Sequence, residues 1–295
     1  MNKISDDPRP LVGIVLLNYN GDVQTIECLK TLKKLKYSEY EIVVIDNSSS
    51  LGSISAIADE FPEVAIIKNS ANLGYAGGNN VGIRHFIDKG CDLVWILNND
   101  TRVEPESLSW MVRCVINDSR IGAVGALILE GNDSERNVVN GGGYVNLVTG
   151  MNTCAKLADS RLPDFLTGAC TLFRIQSLRD VGLLNEDYFL YWEDVDTSIE
   201  LKKKGWNIAV APKAIVYHDA SSTLGKLSAK GFYYNSRASV KFFMKHSNAP
   251  YFALLCLISL RAGKRILRGD WYSLFMCMKG WYDGFRMLDS KYKEI

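Results

Sequence analysis

Three short apolar runs in the first hundred residues each end abruptly in a cluster of small polar side chains. Leu11 to Leu17 runs into Asn18-Tyr19-Asn20-Gly21, Glu41 to Ile45 into Asp46-Asn47-Ser48-Ser49, and Leu93 to Leu97 into Asn98-Asn99-Asp100-Thr101. Continuous aliphatic and β-branched runs of this kind read as strands buried on both faces, the habit of parallel sheets covered by helices. Between them, Asp22 to Leu35 puts Ile26, Leu29, Leu32 and Leu35 on one helical face, Ile54 to Phe61 reads as a shorter helix and Val64 to Lys68 as a further strand. Strand alternating with helix predicts an α/β fold with a parallel, helix-flanked sheet. Ligands of such sheets bind beyond the C-terminal strand ends, so the polar clusters are expected to converge on one crevice.

Further on, a helix is predicted from Pro105 to about Asn117, a strand from Ala123 to Leu129, and a hairpin or loop over Asn140 to Gly143 and Tyr144 to Gly150. Phe165 to Phe173 reads as a strand, Asp194 to Lys204 as a helix stopped by Gly205, and Trp206 to Val210 as a strand; His218 closes the last strand. From Ala220 to Gly269 there is no acidic residue, while Lys226, Lys230, Arg237, Lys241, Lys245, Arg261, Lys264, Arg265 and Arg268 are basic. The expected division is a main domain over residues 1–222, with halves at about 11–104 and 105–222, and a basic, aromatic-rich helical unit over 223–295.

Bulk chemistry excludes several classes. With 295 residues, 47% hydrophobic and 23% charged, the chain can bury a large core. A net charge of +1 argues against a nucleic-acid partner. The 7 cysteines are scattered without a C-x-x-C pair, which fits a reducing cytosol. Met1 to Pro10 lacks the apolar stretch of a signal peptide, and the run Tyr251 to Leu260 is far shorter than the ~20 residues of a membrane span. The expectation is a cytoplasmic protein, soluble or peripheral on the inner face of the membrane. Neither G-x-G-x-x-G, nor a P-loop, nor a G-x-S-x-G elbow is present, which removes the main support for NAD enzymes, P-loop NTPases and α/β-hydrolases.

The remaining polar positions each allow two readings. Asn72-Leu-Gly74-Tyr-Ala-Gly-Gly78-Asn79-Asn80 is either a tight loop with a helix cap or a place where backbone approaches a ligand. Asp46 is an Asx-turn residue or an acceptor for a ribose hydroxyl or base N–H. Asp100 is a helix N-terminal charge or a hard oxygen ligand for a divalent cation on a diphosphate. Glu193-Asp194-x-Asp196 complements a helix dipole or supplies a general base, with Tyr191 and Trp192 beside it forming a partly apolar pocket where a sugar can stack. A lone His218 is ordinarily structural, and becomes a metal ligand only if it folds next to Asp100.

In this order, Asn18-Tyr-Asn20, Asp46-Asn47-Ser, Asn72 to Asn79, Asn98-Asn99-Asp100, Gly168-Ala, Tyr191-Trp-Glu-Asp194-Val-Asp196, Gly205 and His218 closely resemble bacterial family 2 glycosyltransferases, especially their rhamnosyltransferase-like branch. The resemblance covers roughly Leu11 to Ser222. It implies a GT-A fold, in which a Rossmann-like nucleotide-binding sheet is fused to an acceptor-binding lobe, here with a C-terminal helical extension. It also implies inversion at the anomeric carbon, a divalent cation (Mg²⁺ or Mn²⁺) and a nucleotide-diphosphate sugar donor, dTDP-rhamnose before UDP-hexoses.

Carried over, Asp194 is the general base; Glu193, projecting about 100° away on a helix, is expected to orient a sugar hydroxyl or Asp194. Asn18, Asn20, Asp46, Asn47, Asn72, Gly74, Gly78, Asn79, Asn99 and Asp100 face the donor, Gly168, Tyr191 and Trp192 face the acceptor, and Asp100 with His218 holds the metal. The family's D-x-D motif reads Asn98-Asn99-Asp100 here, which leaves the metal fewer protein ligands. The expected acceptor is a glycan or lipid-linked saccharide. For the C-terminal unit two partners are expected: an anionic membrane surface, met by Arg261, Lys264, Arg265 and Arg268, or a second copy in a homodimer. A sugar nucleotidyltransferase and a non-catalytic carbohydrate-binding protein are the rival classes; the first lacks its Gly-rich basic loop, and the second gives no reason for Asp100 and Asp194 together.

Overall fold

The computed structural model describes residues 9–50, 53–130, 137–154, 162–218 and 228–291. Most of the Met1 to Pro10 stretch behind the signal-peptide expectation, and Lys226 of the basic stretch, lie outside the described residues. The first half winds as β1 (Val12–Asn18), α1 (Asp22–Leu32), β2 (Tyr40–Asp46), α2 (Ser53–Glu60), β3 (Ala65–Lys68), α3 (Gly74–Asp88) and β4 (Leu93–Asn98). The second half comprises β5 (Thr101–Val103), α4 (Ser107–Asn117), β6 (Ile121–Glu130), β7 (Asn137–Asn140), β8 (Gly143–Val145), β9 (Asn152–Cys154), β10 (Cys170–Arg174), α5 (Ile175–Val181), α6 (Glu193–Lys203) and β11 (Asn207–His218). Then follow α7 (Ala229–His246), α8 (Pro250–Leu267) and α9 (Trp271–Lys291).

One sheet orders these strands β3-β2-β1-β4-β10-β6-β11-β5, with β7 beside β6. The first four are parallel, and β10 runs antiparallel between β4 and β6. The pleat sends Ile14, Leu16 and Trp95 to one face with Leu29, Met111 and Val112 of α1 and α4. It sends Val15, Val43 and Val94 to the other, with Ile83, Phe86, Leu178 and Leu201 of α3, α5 and α6. Two-sided burial accounts for the uninterrupted apolar runs.

Several boundaries differ from the sequence reading. α1 stops at Leu32, because Lys34 and Leu35 bond to carbonyls three residues back and tighten the chain, although Leu35 still packs on the core. β10 is confined to Cys170–Arg174; Phe165 forms only an isolated bridge to Gly143. β11 extends far past Val210 because its register shifts between Ala211 and Ile215, where Pro212 has no ladder N–H to give, and pairing resumes beyond. Tyr144 to Gly150 does form a hairpin, between β8 and β9.

A third core joins the C-terminal helices to the main domain. Phe165, Tyr188, Trp192 and Val195 pack with Val240, Phe242, Phe243, Leu254, Leu257 and Trp281. Trp192 lies 3% exposed against Phe242 and Phe243, so the indole expected at the acceptor is spent on this junction. Below it, Asp196 Oδ1 meets His246 Nε2 at 2.6 Å, and both Asp196 oxygens accept from Lys245 Nζ at 2.9 and 3.0 Å. Burial pushes this carboxyl's pKa up, but the His246 and Lys245 contacts outweigh it and hold it below the usual range.

A depressed folded-state pKa gives stability that is present at neutral pH and lost as pH falls through the folded value. Asp196→Asn leaves Lys245 and His246 only the more distant Glu200, 3.4 and 3.7 Å away, as counter-charge and is expected to cost about 3 kcal/mol in urea unfolding at neutral pH. The difference should narrow in acid; a constant difference would refute the ion-pair account.

Candidate active site

Polar side chains at the strand ends bind one another before they bind anything else. Asn18 is fully buried: its Nδ2 donates to Asp46 Oδ1 at 3.4 Å and Ser49 Oγ at 3.2 Å, and its Oδ1 accepts from Gly21 N and Thr25 Oγ1, each at 3.1 Å. Asn99 Nδ2 reaches Thr25 Oγ1 at 2.9 Å and closes the cluster. Asn20, with φ of 53°, accepts from Ser50 N at 2.7 Å. Asp46 spends Oδ1 on Asn18 and Ser49, while its Oδ2 makes no hydrogen bond among the described residues.

Asn47 and the Asn72 motif are bracing rather than an open loop. Asn47 Nδ2 donates to Asn72 Oδ1 (2.9 Å) and Gly74 O (3.0 Å), and its Oδ1 accepts from Leu73 N (3.0 Å) and Asn69 Nδ2 (3.1 Å). The glycines belong to α3. Gly74 has φ of +74°, and a Cβ there would stand 2.3 Å from Phe189 O; at Gly78 it would stand 2.4 Å from Leu17 Cδ1. Gly78 thus lets the helix lie on β1, a packing role in place of the expected approach to a ligand. Asn79 is fully buried and donates to Tyr75 O at 2.9 Å.

Beyond β4 the chain turns into β5, a strand too short to show a pattern in the sequence. β5 pairs antiparallel with β11, setting His218 opposite Thr101. This brings His218 Nε2 to 3.2 Å from Asp100 Oδ1, with the two side chains 2% and 10% exposed. Neither ring nitrogen of His218 has a hydrogen-bond partner among the described residues. Among those residues no group of three His, Cys, Asp or Glu side chains gathers that could hold a metal.

Asp194 is fixed from the opposite side. Its Oδ2 accepts from Gly168 N at 3.0 Å and its Oδ1 from its neighbour Val195 N at 2.8 Å. The loop bearing Gly168 is tied to β4 by Asn98 N donating to Ala169 O at 2.9 Å, which joins the Asp100 turn to the Asp194 side. Tyr191 and Trp192 both take left-handed φ, 71° and 72°, to turn the chain into α6. Glu193 is 5% exposed, and its Oε2 has no hydrogen-bond partner among the described residues. Burial raises the Glu193 pKa well above the ordinary carboxyl value and the charge of Asp194 adds to it; burial also raises Asp194, against the pull of its backbone N–H bonds.

Tyr75 completes the cluster and was missed, although it stands inside the Asn72 motif. Its hydroxyl donates to Gly168 O at 2.5 Å, and a small cavity bounded by Tyr75, Leu166, Gly168, Thr171, Glu193 and Asp194 lies between them.

Solved glycosyltransferases share this architecture. GalNAc-T7, solved with UDP, GalNAc and Mn²⁺, superposes with TM-score 0.62 at 17% identity over 72% of this chain and 44% of its own. The mannosyltransferase PcManGT from Pyrobaculum calidifontis, in complex with GDP-Man and Mn²⁺, gives TM-score 0.60 at 16% identity over 97% of this chain and 81% of that one. The fold is therefore GT-A. Within that class, the family described as glycosyltransferase like family 2 matches residues 8–231, and the chain belongs to it. The N-acetylglucosaminyl-diphospho-decaprenol L-rhamnosyltransferase of Mycobacterium tuberculosis (strain ATCC 25618 / H37Rv) is 26% identical over 240 residues, 73% of this chain and 78% of that protein. This chain is a glycosyltransferase that moves a sugar from a nucleotide donor to a glycan acceptor.

Because the Glu193 pKa is raised in the fold, its stabilising contribution is present below the unfolded value and lost as pH rises through the folded one. Glu193→Gln, a neutral isostere, should melt close to wild type at about pH 5 and increasingly above it towards about pH 8. A difference independent of pH would show that Glu193 ionises freely.

Proposed function

We propose that this chain is an inverting transferase that moves a sugar, rhamnose from dTDP-rhamnose first and a hexose from UDP second, to a hydroxyl of a lipid-linked cell-envelope glycan. The main support is the Asp194 carboxylate, held by two backbone N–H groups beside a Glu193 whose surroundings favour its neutral form. Adjacent acids driven into unlike environments take unlike roles. Asp194 takes the proton from the acceptor hydroxyl as that oxygen attacks the anomeric carbon; Glu193 keeps its own proton, so the negative charge stays on one carboxylate. Asp46 Oδ2 receives a donor N–H or hydroxyl, and Asn18, Asn47 and Asn99 hold the strand ends that carry it. Catalysis is divided between a donor half at about 11–104 and an acceptor half at about 105–222.

Asp100 and His218 offer one hard oxygen and one imidazole nitrogen 3.2 Å apart. That pair fits a Mg²⁺ or Mn²⁺ whose other ligands are diphosphate oxygens and water. Bound there, the cation would offset the charge of the departing diphosphate.

The C-terminal unit, from about residue 223, is read as a peripheral membrane anchor on the inner membrane face. No described helix is long and apolar enough to cross a bilayer. The end of α8 and start of α9 instead expose Leu267 (90%), Trp271, Tyr272 and Phe275, flanked by exposed Lys264 and Arg268. Apolar side chains ringed by cations suit an anionic leaflet. Arg261 and Arg265 do not belong to this surface: both turn inward, Arg261 to Asn235 and Arg265 over Phe232.

Asp194→Asn is expected to keep donor binding while lowering kcat by about 10²-fold or more. Asp100→Ala should abolish the effect of Mn²⁺ on donor-induced thermal stabilisation, whereas Asp46→Ala should lose nucleoside affinity while keeping the response to Mn²⁺. Near-normal kcat in Asp194→Asn would exclude it as base, and full activity in excess chelator would exclude the cation. In a separate co-sedimentation assay, anionic vesicles should retain the chain at low salt, and neutralising Lys264 with Arg268 should reduce retention. Equal retention of wild type and variant would remove the membrane reading.

A further inference from the structure

Arg261 of α8 is an inward-turned cation without a counter-charge. Its Nη1 donates to Asn235 Oδ1 on α7, an oxygen that also accepts from Trp192 Nε1 at 3.4 Å. Among the described residues no carboxylate comes within ion-pair distance of the guanidinium, and α8 itself contains no Asp or Glu. Arg265 follows one turn along the same helix face, its guanidinium 4.2 Å over the Phe232 ring and its Nη1 3.2 Å from Asp270. Burial, with the positive charge of Arg265 as a smaller cause, lowers the Arg261 pKa to about 10.

Two cations held close together, the inner one unpaired, work against folding unless an anion joins them. A guanidinium matches phosphate in shape, presenting paired N–H groups to paired oxygens. Position identifies which phosphate. Trp192, hydrogen-bonded to the same Asn235 oxygen as Arg261, immediately precedes Glu193 and Asp194 in the chain, which ties the cation to the turn that carries the proposed base. The exposed apolar end of α8 begins a further turn along the helix.

We propose that Arg261, with Arg265 beside it, is a phosphate subsite for the phosphate linker of a glycosyl-phospholipid acceptor. The choice of occupant rests on the glycosyl-transfer reading above; the anion chemistry rests on the uncompensated guanidinium. The acceptor sugar then reaches Asp194 while its linker phosphate is held at the α7–α8 seam and its lipid chain runs towards the surface bearing Leu267 and Trp271.

Farnesyl diphosphate, a soluble prenyl diphosphate, serves as the probe for calorimetric titration of the full chain. Wild type should bind it, and bind farnesol far more weakly. Arg261→Met should weaken probe binding by at least about tenfold, and Arg261→Lys should restore part of it. Nucleoside-diphosphate binding, read by thermal shift, should be equal in all three chains. Melting temperature separates this from a packing role: Trp192 still satisfies Asn235 in Arg261→Met, so removing an unpaired charge should leave stability equal or higher.

Equal probe binding in wild type and Arg261→Met overturns the proposal. So does a lowered melting temperature in both variants with probe binding per folded molecule unchanged. Loss of phosphatidylglycerol vesicle binding in Arg261→Met without loss of farnesyl diphosphate binding gives the cation to bulk lipid and also overturns it. None of these measurements needs turnover: a chain that binds the probe through Arg261 but releases no nucleoside diphosphate from any sugar donor refutes the transferase reading and leaves the subsite standing.

Discussion

Antiparallel insertion of β10 between β4 and β6 is the constraint on which the rest of the site depends. It places Ala169 O against Asn98 N at the end of β4 and presents the neighbouring Gly168 N to Asp194. Asp100 lies just past Asn98, so two backbone hydrogen bonds connect the Asp100 turn to the carboxylate at the start of α6. Backbone groups are suited to this because their positions are fixed by the sheet and cost no side-chain entropy when they bind. Tyr75 adds a second tie to the same loop through Gly168 O.

Around that frame, three carboxylates in four residues acquire three different states. All stand in the first turn of α6, where the helix dipole favours negative charge. Asp196 faces His246 and Lys245 and stays ionised as a structural anion. Asp194 is held by N–H groups, and Glu193 is buried with no partner for Oε2 among the described residues. Side chains about 100° apart on a helix meet unlike surroundings, and those surroundings assign their chemistry.

The C-terminal helices share a core with the turn before α6, through Trp192 between Phe242 and Phe243 and through the Asp196 ion cluster. A change in α7 therefore bears directly on the turn that carries Glu193 and Asp194. Asn235 carries that coupling, since one oxygen holds both the Trp192 indole and Arg261. Much of the basic excess in this region is turned to internal work: Lys245 serves Asp196, Lys241 pairs with Asp187, and Arg265 lies over Phe232.

The alternation of strand and helix in the first half, the polar clusters that follow its strands and the family were legible in the sequence, because two-sided burial writes apolar runs and polar stops directly into the chain. The motif residues were legible as a set. Their individual contacts were not: Asn18, Asn47 and the glycines of α3 look like ligand contacts in one dimension, yet their hydrogen bonds and missing Cβ atoms are spent on neighbours far along the chain. β5 was invisible because three residues carry no periodicity, and without it the meeting of Asp100 and His218 could only be a condition. Trp192 shows the same limit, since an indole beside acids suits a sugar equally well until Phe242 and Phe243 close over it. Sequence by itself determined most strands and helices of the first half and the polar clusters that end its strands, as local pattern and burial dictate both. Tertiary structure alone decided which of those polar groups bond to one another and which carboxylates meet a cation, because hydrogen bonds and ion pairs are satisfied between residues that only folding brings together.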